Sequence, residues 1–316
     1  MQFAREKGQK VFVLGGGSNI LMGDKGFDGL VIKMEIMGIE EEKNEKGIEN
    51  YESGVELANF VIIFVGAGEQ WDTLVEKTVA KGLYGLENLS AIPGTVGAAP
   101  VQNIGAYGSD AAQTISKVRA FDSKNMAFVE LSNSECNFSY RDSRFKNEKG
   151  RYIITHVYFK LSKDASVNIG YKDLKDYFLV KGIAAPSLAQ VREAVIDIRW
   201  GKLPDWKMWG TAGSFFKNPI VSANKFMALK KMYPDLPGYP ENDGRVKVSL
   251  GWILDKVCHV KGMQKGKVQV YEKQALVLVS KHGATSEEVV SLAHELMNLV
   301  KEKTGIEIEG EVEWVN

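Results

Sequence analysis

Cysteine is nearly absent from this 316-residue chain, with Cys136 and Cys258 the only two. No disulfide framework is expected, and the composition fits a reducing compartment. Histidine is scarce as well. His156, His259, His282 and His294 show no metal-ligand spacing, alone or with the cysteines, so no metal site is expected. Neither sign of charge is in excess, since Lys+Arg and Asp+Glu number 40 each. That removes any general electrostatic case for nucleic acid or an anionic membrane, and an anionic ligand must be met by local basic groups. Long apolar runs are missing too. The most apolar stretch, Phe60 to Val65, is far too short to span a bilayer, and MQFAREKGQKVFVLGGG holds no apolar run of signal-peptide length. The expectation is a cytoplasmic protein of enzyme size with two or three domains and no evident obligate protein partner.

What is present is organised around glycine. The apolar pattern predicts strands at Lys10 to Leu14, Leu30 to Lys33, Phe60 to Val65, Lys117 to Asp122, Tyr152 to Leu161 and Ala275 to Ser280. Helical spacing predicts helices at Glu69 to Ala80, Leu188 to Ile198, Asn224 to Met232, Leu250 to Val257 and Ser286 to Lys303. Glu40 to Glu49 reads as an exposed turn or hairpin. Ile306 to Val315 alternates as a half-buried strand, with Ile306, Ile308, Val312 and Trp314 inward and four glutamates outward.

Two glycine segments carry candidate chemistry. Gly15-Gly16-Gly17-Ser18-Asn19 follows a strand, and successive N–H groups in such a turn form a concavity for phosphate oxygens. It lacks the third glycine of a dinucleotide fingerprint, and a tight connection between strands is the plainer alternative. Ser90 to Asp110 has neither helical nor strand period, and within it Ile92 to Gly108 holds four glycines, Gly94, Gly97, Gly105 and Gly108. So little side-chain bulk lets a large planar or phosphorylated ligand approach the backbone, although a surface loop of small residues fits as well. Arg141, in Tyr140-Arg141-Asp142-Ser143, suits a carboxylate but by itself reads as a solvated pair. Ser214 lies between a glycine and two aromatics, with no nucleophile elbow and no nearby histidine, which favours a proton-donating hydroxyl over a nucleophile, an ordinary Ser-initiated turn being the plainer alternative.

Taken together, these segments resemble the UDP-N-acetylenolpyruvoylglucosamine reductase family of bacterial peptidoglycan-precursor enzymes. The resemblance rests on Gly15 to Asn19, Val65-Gly66-Ala67-Gly68 with Trp71, Gly85 to Leu89, Ile92 to Gly108, Tyr140 to Ser143, Lys202-Leu203-Pro204, Ala212 to Pro219 and Glu309 to Val312. It covers nearly the whole chain in order. Gly170 to Leu174 and the segment after it are similar to the longer of the family's two forms, which carries a tyrosine loop. The departure is at the N-terminus, where the family's Asn-Thr-Phe-like motif and first strand have no counterpart in this sequence.

The resemblance implies an α+β fold: a two-part FAD-binding region of the vanillyl-alcohol-oxidase/PCMH type plus a C-terminal α+β substrate domain. Residues 1–35 with 304–316 would form the first FAD-binding part, 36–203 the second, and 204–303 the substrate domain. It implies FAD as cofactor, NADPH as co-substrate, and reduction of UDP-N-acetylglucosamine enolpyruvate to UDP-N-acetylmuramate. Hydride would reach C3 of the enolpyruvyl group and Ser214 would protonate C2, while Arg141 and Glu311 stabilise the charge that develops on the carboxylate. Glu311 can donate only if protonated, which requires burial or neighbouring carboxylates. For FAD the resemblance points to Gly15, Gly16, Gly17, Ser18, Asn19, Pro93, Gly94, Gly97, Ala98, Gln102, Asn103, Gly105, Tyr107, Ile154 and Arg199. For the sugar nucleotide it points to Tyr171, Lys202, Asn218, Tyr239, Lys261 and Gln274. A flavin oxidase of the same superfamily is the alternative enzyme, though no His or Cys attachment residue stands in the glycine motifs. An FAD-poor binding remnant is the non-enzyme alternative.

Overall fold

The computed structural model describes residues 1–42 and 59–316. The chain divides into two compact units, residues 1–16 with 29–199 and residues 17–28 with 200–316.

The first unit is built on a five-stranded antiparallel sheet in the order Ile39–Glu41, Phe60–Gly66, Tyr152–Ser162, Ile115–Asp122, Ala127–Ser132. The long central strand sends Val157, Phe159 and Leu161 to one face and His156, Tyr158 and Lys160 to the other, as a period of two requires. Helix α1 (Trp71–Ala80) packs on the buried face through Trp71, Leu74, Val75 and Thr78, which share one side of the helix. The Trp71 ring meets Phe159 edge-on at 5.9 Å. Val96 and Ala99, from the glycine-rich loop, lie in this same core, so the loop is anchored from beneath. A satellite cluster joins α2 (Lys172–Lys181) to α3 (Leu188–Lys202) through Leu174, Phe178, Val191, Ala194 and Val195. Val11–Leu14 pairs in parallel with Leu30–Lys33.

The second unit holds a four-stranded sheet ordered Gly210–Ser214, Val277–Ser280, Val268–Val270, Gln264–Lys265, and a three-stranded sheet ordered Ile220–Val221, Val246–Val248, Gly238–Pro240. It also contains α4 (Ala223–Met232) and α5 (Ser286–Thr304). Thr285 and Glu288 close a reciprocal cap on the first turn of α5. That helix buries Leu292, Ala293, Leu296 and Val300. At the chain's end Glu313–Val315 pairs in parallel with Ile20–Met22.

Ile39–Glu41 is a strand paired antiparallel with Phe60–Gly66, which fits the hairpin alternative over the turn at Glu40 and Glu41, and residues 43–49 of that expectation lie outside the described residues. Two sequence expectations change. Ala127–Ser132, which the apolar pattern missed, is an edge strand whose outward Phe128 hides its alternation. The terminal alternation fails at its end: Ile306, Ile308 and Val312 are buried, but Trp314 is exposed and Val315 is buried in its place. Only Glu313–Val315 is strand, because the residues before it bind the backbone of Phe215 to Lys217 and reset the register.

Candidate active site

In the first unit the Gly15-Gly16 turn lies directly against the glycine-rich loop. A Cβ on Gly16 would stand 2.8 Å from the Gly94 Cα, and one on Gly15 would stand 2.7 Å from the Thr95 hydroxyl. Only glycine permits that approach. The Gly15 carbonyl accepts a bond from Lys33 Nζ at 2.6 Å. Gly94 itself has φ +116, and its carbonyl accepts from the Trp71 amide at 3.0 Å. The Trp71 indole donates to the Leu89 carbonyl at 2.9 Å. Trp71 of α1 therefore holds the loop at Gly94 and the turn that leads into it at Leu89. Its far end forms a short hairpin, Gly105–Ala106 against Ser109–Asp110.

Arg141 belongs to this loop. Its backbone is left-handed, φ +53, and its Nη2 donates to the Gly105 carbonyl at 2.6 Å. Lys146 Nζ binds the Arg141 carbonyl at 3.0 Å, and Ser143 Oγ donates to the Val101 carbonyl at 2.5 Å. Asn103 ties both segments, donating to the Ser139 carbonyl and accepting from the Ala112 amide. The cluster that read as a solvated pair is thus docked on the loop. Arg199 is buried at the loop's start, with Nε on the Ala91 carbonyl at 3.2 Å and close enough to the Tyr107 side chain to interact with it electrostatically. Burial lowers the Arg199 pKa, against the pull of Tyr107 and Asp72, and burial raises that of Tyr107. The Tyr107 ring meets Tyr171, at the start of α2, edge-on at 5.5 Å. Ile154 is buried in the core with Val96 and Ala99.

Two polar atoms that sequence reasoning passed over stand out here. Thr95 Oγ1 and Asn88 Oδ1 are buried and have no hydrogen-bond partner among the described residues. Such atoms are rare in folded proteins and call for a missing partner. Thr95 Oγ1 faces the Gly15 turn, while Asn88 Nδ2 binds the carbonyls of Tyr107 and Asn168. For Thr95 the sequence signal was a polar residue inside a run of small ones, and Asn88, between Glu87 and Leu89, had none. An open glycine turn, a low-bulk loop and orphaned polar atoms at both fit a large ligand with phosphate and planar parts, and so fit FAD.

In the second unit the segment that follows Ser214 is joined through backbone to the segment that carries Glu311. The Glu311 amide donates to the Phe215 carbonyl at 2.8 Å, and the Lys217 amide to the Glu309 carbonyl at 3.0 Å. Asn19 Nδ2 holds the Glu311 carbonyl at 3.2 Å. Residues far apart in sequence thus occupy adjoining segments, over a Phe215–Phe216 pair that is fully buried. Ser214 ends a strand whose register shifts between Thr211 and Ser214, where Gly213 has φ +74. Irregularities of this kind re-aim a side chain and are frequent beside active sites. Asn218 and Gln274 converge on one helical start: Asn218 Oδ1 accepts from the Leu250 amide at 2.9 Å, and a Cβ on Gly251 would stand 3.3 Å from Gln274 Oε1. The π-helical turn Ile253–Val257 follows, and its Asp255 pairs with Lys261 at 3.0 Å. Tyr239 is exposed on the three-stranded sheet opposite Lys247. Lys202 closes α3.

No group of His, Cys, Asp and Glu suited to a metal occurs among the described residues, and no helix among them is long and apolar enough to cross a membrane.

Comparison with known proteins bears on both units. Residues 205–315 match the family described as UDP-N-acetylenolpyruvoylglucosamine reductase, C-terminal domain, and residues 1–125 match an FAD binding domain. The UDP-N-acetylenolpyruvoylglucosamine reductase of Neisseria gonorrhoeae is 47% identical over 307 residues, covering 96% of this chain and 85% of that protein. The protein of the same name from Chromobacterium violaceum is 44% identical, covering 95% and 85%. The crystal structure of UDP-N-acetylenolpyruvylglucosamine reductase from Thermus caldophilus aligns with a TM-score of 0.63 at 23% identity, covering 100% of this chain and 89% of that one. At that identity the likeness speaks for the fold.

Proposed function

The chain belongs to the UDP-N-acetylenolpyruvoylglucosamine reductase family, and from that premise we propose how its residues divide the reaction. It is an FAD-containing oxidoreductase that reduces UDP-N-acetylenolpyruvoylglucosamine in peptidoglycan synthesis. The reductant is NADPH, and the product is UDP-N-acetylmuramate. FAD, when bound, supplies two-electron chemistry between NADPH and C3 of the enolpyruvyl group. The Gly15–Asn19 turn holds its phosphates and the Ile92–Tyr107 loop its planar part, with Thr95 and Asn88 offering two further polar contacts. In this reading residues 1–35 with 304–316 and residues 36–203 serve the cofactor, and 204–303 serve the sugar nucleotide.

As C3 becomes saturated, negative charge gathers on the enolpyruvyl carboxylate. Arg141, already oriented by the Gly105 carbonyl, meets that charge without reorganising, and Glu311 in its protonated form donates a second hydrogen bond. Ser214 Oγ gives its proton to C2. A serine hydroxyl is a weak acid, so the transfer depends on a strongly basic acceptor and excluded water. Tyr171, Lys202, Asn218, Tyr239, Lys261 and Gln274 bind the sugar nucleotide, the lysines meeting its diphosphate.

The observation that carries this division is the zipper of Glu309 to Glu311 along Phe215 to Lys217, which sets Glu311 beside the segment leaving Ser214. Ser214→Ala tests it. Flavin reduction by NADPH should proceed as in wild type, while reduction of the sugar nucleotide slows roughly 10²–10⁴-fold, the usual contribution of a positioned acid. Equal loss in both half-reactions would remove Ser214 from the proton-donor role.

A further inference from the structure

Ala91 stands immediately before Ile92-Pro93-Gly94 and holds a left-handed backbone, φ +55, a conformation that residues with a Cβ rarely keep unless their surroundings impose it. The surroundings are specific. Its amide donates to Asp72 Oδ1 at 2.6 Å, and its carbonyl accepts from Arg199 Nε at 3.2 Å. Asp72 follows Trp71 in the first turn of α1, and Arg192 grips both of its oxygens, at 2.6 Å and 2.9 Å. Arg192 and Arg199 lie seven residues apart on α3, and so on one face of it. Arg199 also interacts electrostatically with Tyr107, at the other end of the loop. A single strained residue is thus held by two helices, one through its N–H and the other through its C=O.

We propose that the Asp72–Arg192 pair is a positioning device for FAD: it fixes the Ala91 amide and thereby presets the Ile92–Gly97 backbone for the cofactor. The inference rests on the reading that FAD lies on this loop. A partly exposed ion pair contributes little as an ion pair. Here its effect is exerted through the third partner, the Ala91 N–H, because the oxygen that accepts from Ala91 is one that Arg192 also holds in place.

The test separates the ion pair from the anchor by measuring FAD affinity of the apo-protein, from flavin fluorescence quenching, beside the melting temperature of the same apo-protein. Asp72→Ala loses both features and should weaken FAD binding about tenfold or more. Asp72→Asn keeps an oxygen for Ala91 while ending the ion pair, and should bind FAD within about threefold of wild type, since the amide oxygen still accepts. The exchange D72R/R192D restores opposite charges but gives Ala91 no acceptor, because arginine only donates. It should melt closer to wild type than Asp72→Ala yet bind FAD as weakly. FAD affinity that follows melting temperature across the three variants overturns the proposal, as does recovery of binding in the exchange variant. Ala98→Leu serves as control, since Ala98 is exposed on the loop. Wild-type FAD binding by Ala98→Leu would remove the loop as the flavin bed, and the anchor with it. Weakened binding by Ala98→Leu beside normal binding by Asp72→Ala would remove the anchor alone.

Discussion

Replacing Gly16 by alanine puts the contact between the two glycine segments under direct load. Its φ lies outside the left-handed region, so alanine suits the backbone and only the contact is at issue. The new Cβ would stand 2.8 Å from the Gly94 Cα, 3.4 Å from its carbonyl carbon and 3.6 Å from its nitrogen. Carbon atoms rest at about 3.5–4.0 Å, so the two backbones must part by roughly 0.7 Å. Both partners are main chain, and no side chain can swing aside. Overpacking of this kind costs about 1–3 kcal/mol. Because 1.4 kcal/mol is a factor of ten, FAD affinity should fall about 5- to 100-fold wherever the strain is carried by the cofactor complex. Where the apo-protein carries it, the melting temperature should fall by a few degrees instead. Flavin fluorescence titration and a thermal melt of the apo-protein read the two together. Gly15→Ala is the internal standard, since its one short Cβ contact is the Thr95 hydroxyl, a side-chain atom that can turn away, while the Ala98 and Thr95 Cβ atoms stand at ordinary distances of 3.7 and 3.9 Å, and its effect should be smaller. Wild-type affinity and melting in Gly16→Ala, or a larger effect in Gly15→Ala, would refute the close approach of turn and loop.

Two further outcomes follow from the first unit. Trp71→Phe removes the buried indole bond to the Leu89 carbonyl and leaves that acceptor without its donor, so stability should fall by about 1–3 kcal/mol in a denaturant titration. A change under 0.5 kcal/mol would mean that the indole bond contributes little. Arg151, hydrogen-bonded to both carboxylate oxygens, holds the Asp122 carboxyl down to about 2, well below the ordinary carboxylate range. A depressed carboxyl stabilises the fold above its unfolded value, and that contribution is lost as pH falls through the folded one. Wild type should therefore lose stability relative to Asp122→Asn between about pH 4 and pH 2, and a constant difference between the two across that window would contradict the pairing.

The sequence was most informative where period and burial coincide. Trp71, Leu74 and Val75 read as one helical face and are one. Tyr152 to Leu161 read as an alternating strand and became the centre of the five-stranded sheet. Edge elements were harder, because an outward Phe128 or Trp314 mimics a core residue when only the pattern is available. At the site, spacing exposed the glycine loop but nothing about how it is held. Asp72 reads as the solvent side of a helix, and its role depends on Arg192, which lies 120 positions away. The same holds for Glu311, one glutamate among four, which is singled out by the Phe215 carbonyl and by Asn19 rather than by any local pattern. Long-range hydrogen bonds of this kind leave no period in the sequence.

The most direct measurement of the central claim is NADPH oxidation by the FAD-loaded protein, followed at steady state with and without UDP-N-acetylglucosamine enolpyruvate. Sustained consumption of NADPH only when the sugar nucleotide is present, with UDP-N-acetylmuramate formed in equal amount, is the predicted result. Turnover that ignores the sugar nucleotide, or NADPH consumption without the lactyl ether product, would contradict it.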